Sequence, residues 1–459
     1  MKRVTRRSLL AGAAAGSGIF SAGCERGRVR AAGAATGSFA HLLEGVGREN
    51  LKITEVRATP LTYKAPAGLF IEEAGPIITL SRGVTVLQVF TDRGIVGIGP
   101  GPAFGIAGAP DFSRLVGKNP FDVELMSPQA GVDIACWDLI GKAKGLPLYK
   151  LLATDRQPNP KVHVYGSAGV NWTFYDKRDG KAFGVEALIE EALKLKELGF
   201  DTYKWRPGTD WEEAGMTAEK LGNTVCRKVR EAVGPNFKLA LEKKAYDEWT
   251  IEQALEVAPI INELNYHWFE QPMGDQGPAE FDDYLKLKAA MPKVMLFGGE
   301  QFRDRTRARP FIERKIYDVV QSDTIAVGMT ENWYVARMAE YNGVRMTPHN
   351  WQTELGTIAN AHFAAGLPNG YMCEYFMYPN TPWRDVLFRE PLVPKNGYLT
   401  LSDKPGLGVE LAGLEELKRR FPFDPAAPVT IPNPRFPKAM DRALARQEQN
   451  RAKYAGGSR

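Results

Sequence analysis

The sequence predicts an α/β protein in which a small α+β module precedes an eight-stranded β/α barrel. Three observations predict it. Seven polar residues sit at or beside the C-terminal ends of short apolar runs: Lys204, Glu242, Glu270, Glu300, Asp323, His349 and Glu374. Their spacings of 38, 28, 30, 23, 26 and 25 residues approach the roughly 30 residues that a strand, a crossover helix and two loops require. Eight apolar runs with helical patterns between them satisfy the strand count of a closed barrel. Ahead of them, period-two alternation marks antiparallel strands.

The N-terminal module spans 51–155. LKITEVRATPLTY and VTVLQVFTDRGIVGIG alternate apolar and polar residues, with a turn signal at Asp92-Arg93-Gly94. In GVDIACWDLIGKAKGLPLYKLL, the residues Val132, Ala135, Cys136, Leu139 and Ile140 share one helical face, and Gly145 then Pro147 mark its stop. Barrel strands are predicted at 162–167, 202–206, 238–242, 267–271, 294–299, 318–322, 345–349 and 371–375, within a barrel of 156–389. VEALIEEALKLKELGF, stopped by Gly199, and TIEQALEVAPIINEL are examples of the helices between them. The stretch 390–425, with GVELAGLEELKRRF, is expected to return to the N-terminal module. Residues 426–459 are expected to be a C-terminal tail whose last basic stretch, RQEQNRAKYAGGSR, is a solvated or disordered end.

A chain of 459 residues, 44% of them hydrophobic, has material for a large core. Its net charge of +5 is small, the basic residues gather at the termini, and no Lys/Arg stripe interleaves with aromatics. That pattern excludes nucleic-acid binding. Cys24, Cys136, Cys226 and Cys373 lack CxxC spacing, which argues against a zinc ribbon or a disulfide framework. Cys136 and Cys373 lie in apolar runs and are expected in the core.

The N-terminus carries an address. Thr5-Arg6-Arg7-Ser8-Leu9-Leu10, in a basic segment followed by an Ala/Gly stretch, resembles a twin-arginine export motif. Residues 1–35 are therefore expected to be a signal peptide, 36–50 a linker, and the protein periplasmic. The apolar stretch is too short and too rich in Gly and Ala for a membrane span. Ser21-Ala22-Gly23-Cys24 offers a lipid anchor at Cys24, but Ser at its first position is atypical. A basic cytoplasmic tail is the other alternative.

The chemistry lies at the rim. Glu242, Glu270 and Glu300 offer only oxygen ligands, which suit Mg²⁺ or Mn²⁺ and leave coordination positions for water and substrate. Asp323 and His349 lie on the next two strand ends; a carboxylate on one ring nitrogen fixes the tautomer and makes the other an effective base. Lys204 and Arg206 alternate onto one face of their strand and are expected to aim into the mouth, with Glu374 across from them. Lys244 and Asn350 are candidate substrate-binding residues. His267 is expected to be a satisfied core or supporting histidine, and His163 and His362 have no rim context.

With these residues in view, the chain over about 51–425 resembles the enolase superfamily, in its mandelate racemase/muconate lactonizing enzyme branch. GVDIACWDLIGKAKGLPLYKLL resembles that family's barrel-entry helix, YKWR its Lys-x-Lys strand end, and HWFEQPM, FGGE, VVQSD and TPHNW its later strand ends. The resemblance implies an N-terminal capping domain over a modified TIM barrel, (β/α)7β, with one essential Mg²⁺. It implies removal of the proton α to a carboxylate, giving an enediolate held by the metal. By matching position, Glu242, Glu270 and Glu300 become metal ligands, Asp323 and His349 the acid/base dyad, and Glu374 the group that hydrogen-bonds the enediolate or substrate carboxylate. Lys204 and a protonated Glu374 are expected to help neutralise the developing charge. The capping module is expected to exclude water and read the far end of the substrate, with Phe70, Ile71, Glu72 and Glu73 as candidates. A small carboxylate substrate and a homo-oligomer are further implications.

Two departures shape the expected reaction. Arg206 stands where the family usually has the second Lys. Arginine is a poor base but a good carboxylate clamp, so a two-base racemisation is disfavoured. One competent base, His349, that removes the α-proton and then protonates a departing β-hydroxyl is the sugar-acid dehydratase pattern. Glu242-Lys243-Lys244 stands where the family usually has Asp, often with Asn two residues later. The Lys244 cation could bind an acidic substrate or weaken metal binding by repulsion. The expected activity is an acid-sugar dehydratase; a racemase or epimerase with Lys204 as opposite base, and a non-catalytic carboxylate-binding protein, are the alternatives.

Overall fold

The computed structural model describes residues 42–67, 71–74, 77–101, 110–153, 157–169, 175–176, 181–182, 185–207, 216–243, 248–274, 277–351, 353–377, 382–434 and 438–455. The signal-peptide expectation, including Cys24, falls outside them. Residues 42–49 form a short turn in which Val46 N donates to Leu43 O.

From Asn50 onward the chain is one unit. Strand β1 (Ile53–Lys64) pairs antiparallel with β4 (Ser81–Thr91), which pairs with β5 (Val96–Gly101); between β1 and β4 lie β2 (Glu72–Ala74) and β3 (Ile77–Thr79). The predicted turn is present, with Gly94 at φ 72°. Helix α1 (Ala130–Lys144) lies directly on β5 because glycines let the two backbones meet. A Cβ on Gly97 would sit 2.0 Å from Ala135 O, and one on Gly99 2.2 Å from Gly131 O. Val132, Ala135, Cys136 and Leu139 of that helix join Ile53, Leu87 and Val89 in a buried cluster. The helix ends on Gly145 in the left-handed region, φ 63°.

The barrel strands are β6 (Lys161–Ser167), β7 (Thr202–Trp205), β8 (Lys238–Glu242), β9 (Trp268–Glu270), β10 (Met295–Gly298), β11 (Val319–Val320), β12 (Arg345–Met346) and β13 (Cys373–Phe376). Every neighbouring pair is parallel, and β13 returns to β6. Between β12 and β13, closure rests on a Met346–Gly370 bridge and on Tyr371 N donating to Met346 O at 2.8 Å. Parallel strands need crossovers, and helices such as α2 (Val185–Glu197), 251–263, 281–290 and α3 (Glu354–Gly366) supply them. The helix at 251–263 starts where Thr250 and Gln253 form a capping box. Tyr165, Ala240, Trp268, Phe297, Val319 and Met372 fill the interior, so the barrel is a packed core and its chemistry is confined to one end.

The C-terminal stretch crosses back. Strand β14 (Tyr398–Thr400) pairs with β6, Leu407 N donates to Asp138 of α1 at 2.8 Å, and β15 (Thr430–Pro432) adds an edge to β3. The last segment corrects an expectation. Instead of a solvated tail, helix α4 (Ala439–Ala455) packs on the barrel, with Ala439, Ala443, Asn450 and Tyr454 buried along one face. That stripe mixes alanines, an asparagine and one tyrosine, so its hydrophobic signature is weak. No described helix is long and apolar enough to cross a membrane.

Candidate active site

Parallel register brings the rim residues together. Glu242 lies opposite Glu270 between β8 and β9, Lys204 lies beside Ala240 and Ser167, and Glu374 beside Tyr165. Lys204 is wholly buried, its Nζ 2.5 Å from Glu270 Oε1, 2.8 Å from Glu242 Oε2 and 3.0 Å from Glu374 Oε1. Glu270 Oε2 accepts from Trp268 Nε1 at 2.9 Å. Arg206 pairs with Glu242 Oε2, donates from Nη1 to Ala168 O at 2.9 Å, and lies 4.1 Å from the Trp351 ring centroid.

The dyad is formed. His349 Nδ1 lies 3.0 Å from Asp323 Oδ2, and its Nε2 is 3.2 Å from Glu300 Oε2 and 3.9 Å from Glu374 Oε2. Asp323 is itself held, because Oδ1 accepts from Ile325 N at 2.8 Å and from Asn360 Nδ2 at 3.2 Å. Asn360 Nδ2 also donates to His349 O at 2.9 Å, fixing both members at once.

Electrostatics follow from burial and crowding. Burial, with repulsion from Glu242 and Glu374, raises Glu270 to about 7 despite Lys204. Burial works against charge on Glu242, but Arg206 and Lys204 outweigh it and hold its carboxyl below the ordinary value. Burial likewise opposes charge on His349, yet Glu300, Glu374 and Asp323 together raise it to about 10.

Three carboxylates, Glu242, Glu270 and Glu300, each place an oxygen within 4.8 Å of the others. These residues fit a hard divalent cation: the donors are all anionic oxygens, and an ammonium already lies among two of them. Glu242 Oε2 lies against the Lys204 and Arg206 cations, so this end of the site already holds positive charge beside an anionic oxygen.

Several expectations need correction. Arg206 is not a free carboxylate clamp: the 168 carbonyl, Glu242 and the Trp351 face hold it in place. The Asn350 side chain is fully buried; its Nδ2 donates to Thr357 Oγ1 at 2.7 Å and to Glu374 O at 3.1 Å, so it braces the strand end and does not face substrate. Glu374 is an acceptor, not a protonated donor. Burial opposes its charge, but Lys204, His349 and Arg206 hold it below its ordinary value, and Asn350 N donates to Oε2 at 2.8 Å. Lys244 and Phe70 lie outside the described residues; Ile71 is buried, and Glu72 and Glu73 belong to β2.

His267 is a half-buried, satisfied histidine, with Nε2 2.7 Å from Tyr371 Oη. His163 pairs with Asp201 at 2.7 Å, at the other end of the strands. The sequence reading did not single out Asn360, Trp351 or Trp268. Asn360 carried a usable signal, as a polar residue inside α3, all of whose positions are buried. Trp351 and Trp268 look like ordinary aromatics until their partners are known.

Fold and rim together define a barrel enzyme of carboxylate chemistry. Residues 187–415 match the family described as "Enolase C-terminal domain-like". Arabinonate dehydratase of Saccharolobus solfataricus is 30% identical over 283 residues, covering 61% of this chain and 68% of that protein. D-galactarolactone cycloisomerase of Agrobacterium fabrum is 27% identical over 395 residues, 79% of this chain and 97% of that protein. A solved mandelate racemase/muconate lactonizing enzyme from a marine actinobacterium, in complex with magnesium, shares the fold with a TM-score of 0.64 at 22% identity, covering 80% of this chain and 99% of its own. The chain belongs to the enolase superfamily, in the mandelate racemase/muconate lactonizing enzyme branch.

Proposed function

We propose that this enzyme is a Mg²⁺-dependent dehydratase of a sugar acid or related α-hydroxy carboxylate. The observation that carries the reading is the asymmetry of bases around the pocket. On one side, His349 has Nδ1 tied to Asp323 and Nε2 directed inward. On the other, Lys204 is held by three carboxylates and Arg206 by Glu242, Ala168 O and Trp351. A racemase with two opposed bases needs a second competent proton acceptor, and neither residue is placed as one. The names of two relatives, a sugar-acid dehydratase and a lactone cycloisomerase, support the same carboxylate chemistry.

In this reading Glu300, the leading cause of the raised His349 pKa, would be committed to the cation, which lets the ring work as a base: Nε2 takes the α-proton while Asp323 stabilises the imidazolium. The imidazolium then delivers that proton to the β-hydroxyl on the same face, which leaves as water. The resulting enol ketonises to a 2-keto-3-deoxy acid. Glu242, Glu270 and Glu300 would hold Mg²⁺, or Mn²⁺, which supplies positive charge beside the substrate carboxylate as negative charge develops there. Lys204 adds a second fixed cation, and Glu374 orients both Lys204 and the Asn350 backbone.

The experiment is incubation of the Mg²⁺-loaded protein with a panel of acid sugars in D₂O. Formation of a 2-keto-3-deoxy acid is the expected outcome. Deuterium entering the α-position without loss of water would replace dehydration by epimerisation. The reading also includes a homo-oligomer, as is usual in this family, and export by the twin-arginine route from Thr5-Arg6-Arg7-Ser8-Leu9-Leu10. An Arg6→Lys/Arg7→Lys variant that still reached the periplasm would contradict that route.

A further inference from the structure

We infer that the C-terminal helix α4 positions the carboxylates of the candidate metal site, acting through Trp249 and Met273; the inference rests on the metal assignment proposed above. Helix α4 lies beyond the family match, which ends at residue 415. Its buried face runs Ala439, Ala443, Asn450, Tyr454, a spacing that keeps one stripe of the helix against the barrel.

The path from this stripe to the ligands is short. Asn450 is 1% exposed, and its Nδ2 donates to Trp249 O at 3.2 Å. Trp249 ends the loop that follows Glu242, and its N–H donates to Pro272 O at 2.7 Å, bolting that loop to the one after Glu270. Its ring meets Phe269, the neighbour of Glu270, edge-on at 5.9 Å. In the same loop pair, Lys243 N donates to Glu270 O at 3.1 Å. One turn further along the helix, Tyr454 Oη lies 3.2 Å from Asp283 Oδ2 and 3.9 Å from Met273 Sδ, and Met273 is fully buried three residues after Glu270. Lys453 Nζ adds ion pairs to Asp283 at 3.1 Å and Glu252 at 3.4 Å, on the helices that follow β9 and β8. The helix therefore grips the two loops whose strands end in Glu242 and Glu270. The chain just before it is anchored independently, since β15 pairs with β3.

A metal site demands that its ligands be held within a fraction of an ångström, which the groups behind them provide. Loosening the Trp249–Pro272 bolt should therefore weaken cation binding before it unfolds the barrel. The test is calorimetric titration of Mg²⁺ into full-length, metal-free protein carrying Asn450→Ala or Tyr454→Phe, with circular dichroism showing each variant folded at the titration temperature. Asn450→Ala removes the bond to Trp249 O and Tyr454→Phe the Oη contacts to Asp283 and Met273, so the Kd for Mg²⁺ should rise about two- to tenfold, and turnover should recover at saturating Mg²⁺. A folded variant that binds Mg²⁺ as the wild type does overturns the inference. If Asn450→Ala does not fold, Tyr454→Phe decides alone. Glu270→Ala separates this inference from the one beneath it: retained Mg²⁺ binding there would overturn the metal assignment itself, whereas lost binding with unchanged Asn450 and Tyr454 variants would overturn only the role of the helix.

Discussion

Lys204→Met tests the electrostatic core of the site. The Lys204 ammonium is fully buried and lies 2.5–3.0 Å from three carboxylates, so methionine keeps the volume and removes the charge. Each carboxylate then retains at least one other partner: Arg206 for Glu242, Trp268 Nε1 for Glu270, and Asn350 N with the more distant His349 and Arg206 for Glu374. Removing one member of a buried ionic cluster costs about 3–5 kcal/mol, and that is the expected loss in chelator at pH 8. The loss should shrink on acidification. Burial already raises Glu270 to about 7 from 4.5, against the pull of Lys204, and without the lysine its folded pKa rises further. A carboxyl whose folded pKa exceeds its unfolded value loses stability as pH climbs between the two, so the deficit is smaller at pH 6 and grows toward pH 8. Mg²⁺ at about a hundredfold excess over its Kd should return about 2.7 kcal/mol. Denaturant unfolding followed by tryptophan fluorescence, with chelator or Mg²⁺ at both pH values, measures all three effects. A variant as stable as wild type in chelator at pH 8, or one indifferent to Mg²⁺, would refute the reasoning.

Three further outcomes are expected. His349→Asn should abolish α-proton exchange and leave Mg²⁺ binding intact, which exchange by NMR and calorimetry measure separately; retained turnover would place the base elsewhere. Asp323→Asn should lower kcat by roughly 10²–10⁴-fold with little change in KM, because the amide can still occupy the position but cannot stabilise the imidazolium; a change confined to KM would contradict an orienting role. His362 sets part of the acid stability. Its Nδ1 accepts from Tyr149 N at 3.1 Å and its Nε2 lies 3.0 Å from Leu407 O, so only the neutral ring satisfies both. Burial lowers it to about 4 from 6.5. As pH falls below the unfolded value, the unfolded chain takes a proton that the folded one refuses, and stability declines toward pH 4 by up to about 3 kcal/mol. His362→Gln should flatten that decline in urea titrations at pH 7 and pH 5, and an unchanged slope would rule the histidine out.

Much of the site was legible because each rim residue ends an apolar strand of the barrel. A strand end in a β/α barrel has only one place to go, so Glu242, Glu270, Asp323, His349 and Glu374 converge wherever the helices between them pack. The misreadings share a cause. Arg206 and Asn350 occupy rim positions, yet their side chains are consumed by Trp351, Ala168 O and Glu374 O, partners fixed by loops far away in the chain. The ionisation of Glu374 depends on Lys204 and Arg206, at the end of β7, and on His349 and the Asn350 amide, from the loop after β12.

By itself, then, the order of residues determined the barrel, its module and the set of groups at the mouth, since strand periodicity and apolar patterning are local properties. Tertiary structure alone decided which of those groups is free to react and which is a brace, and it turned a polar, weakly amphipathic end into helix α4 against the rim. The physical reason is that a side chain's partners, burial and charge state depend on distances between segments hundreds of residues apart, and no local pattern records them.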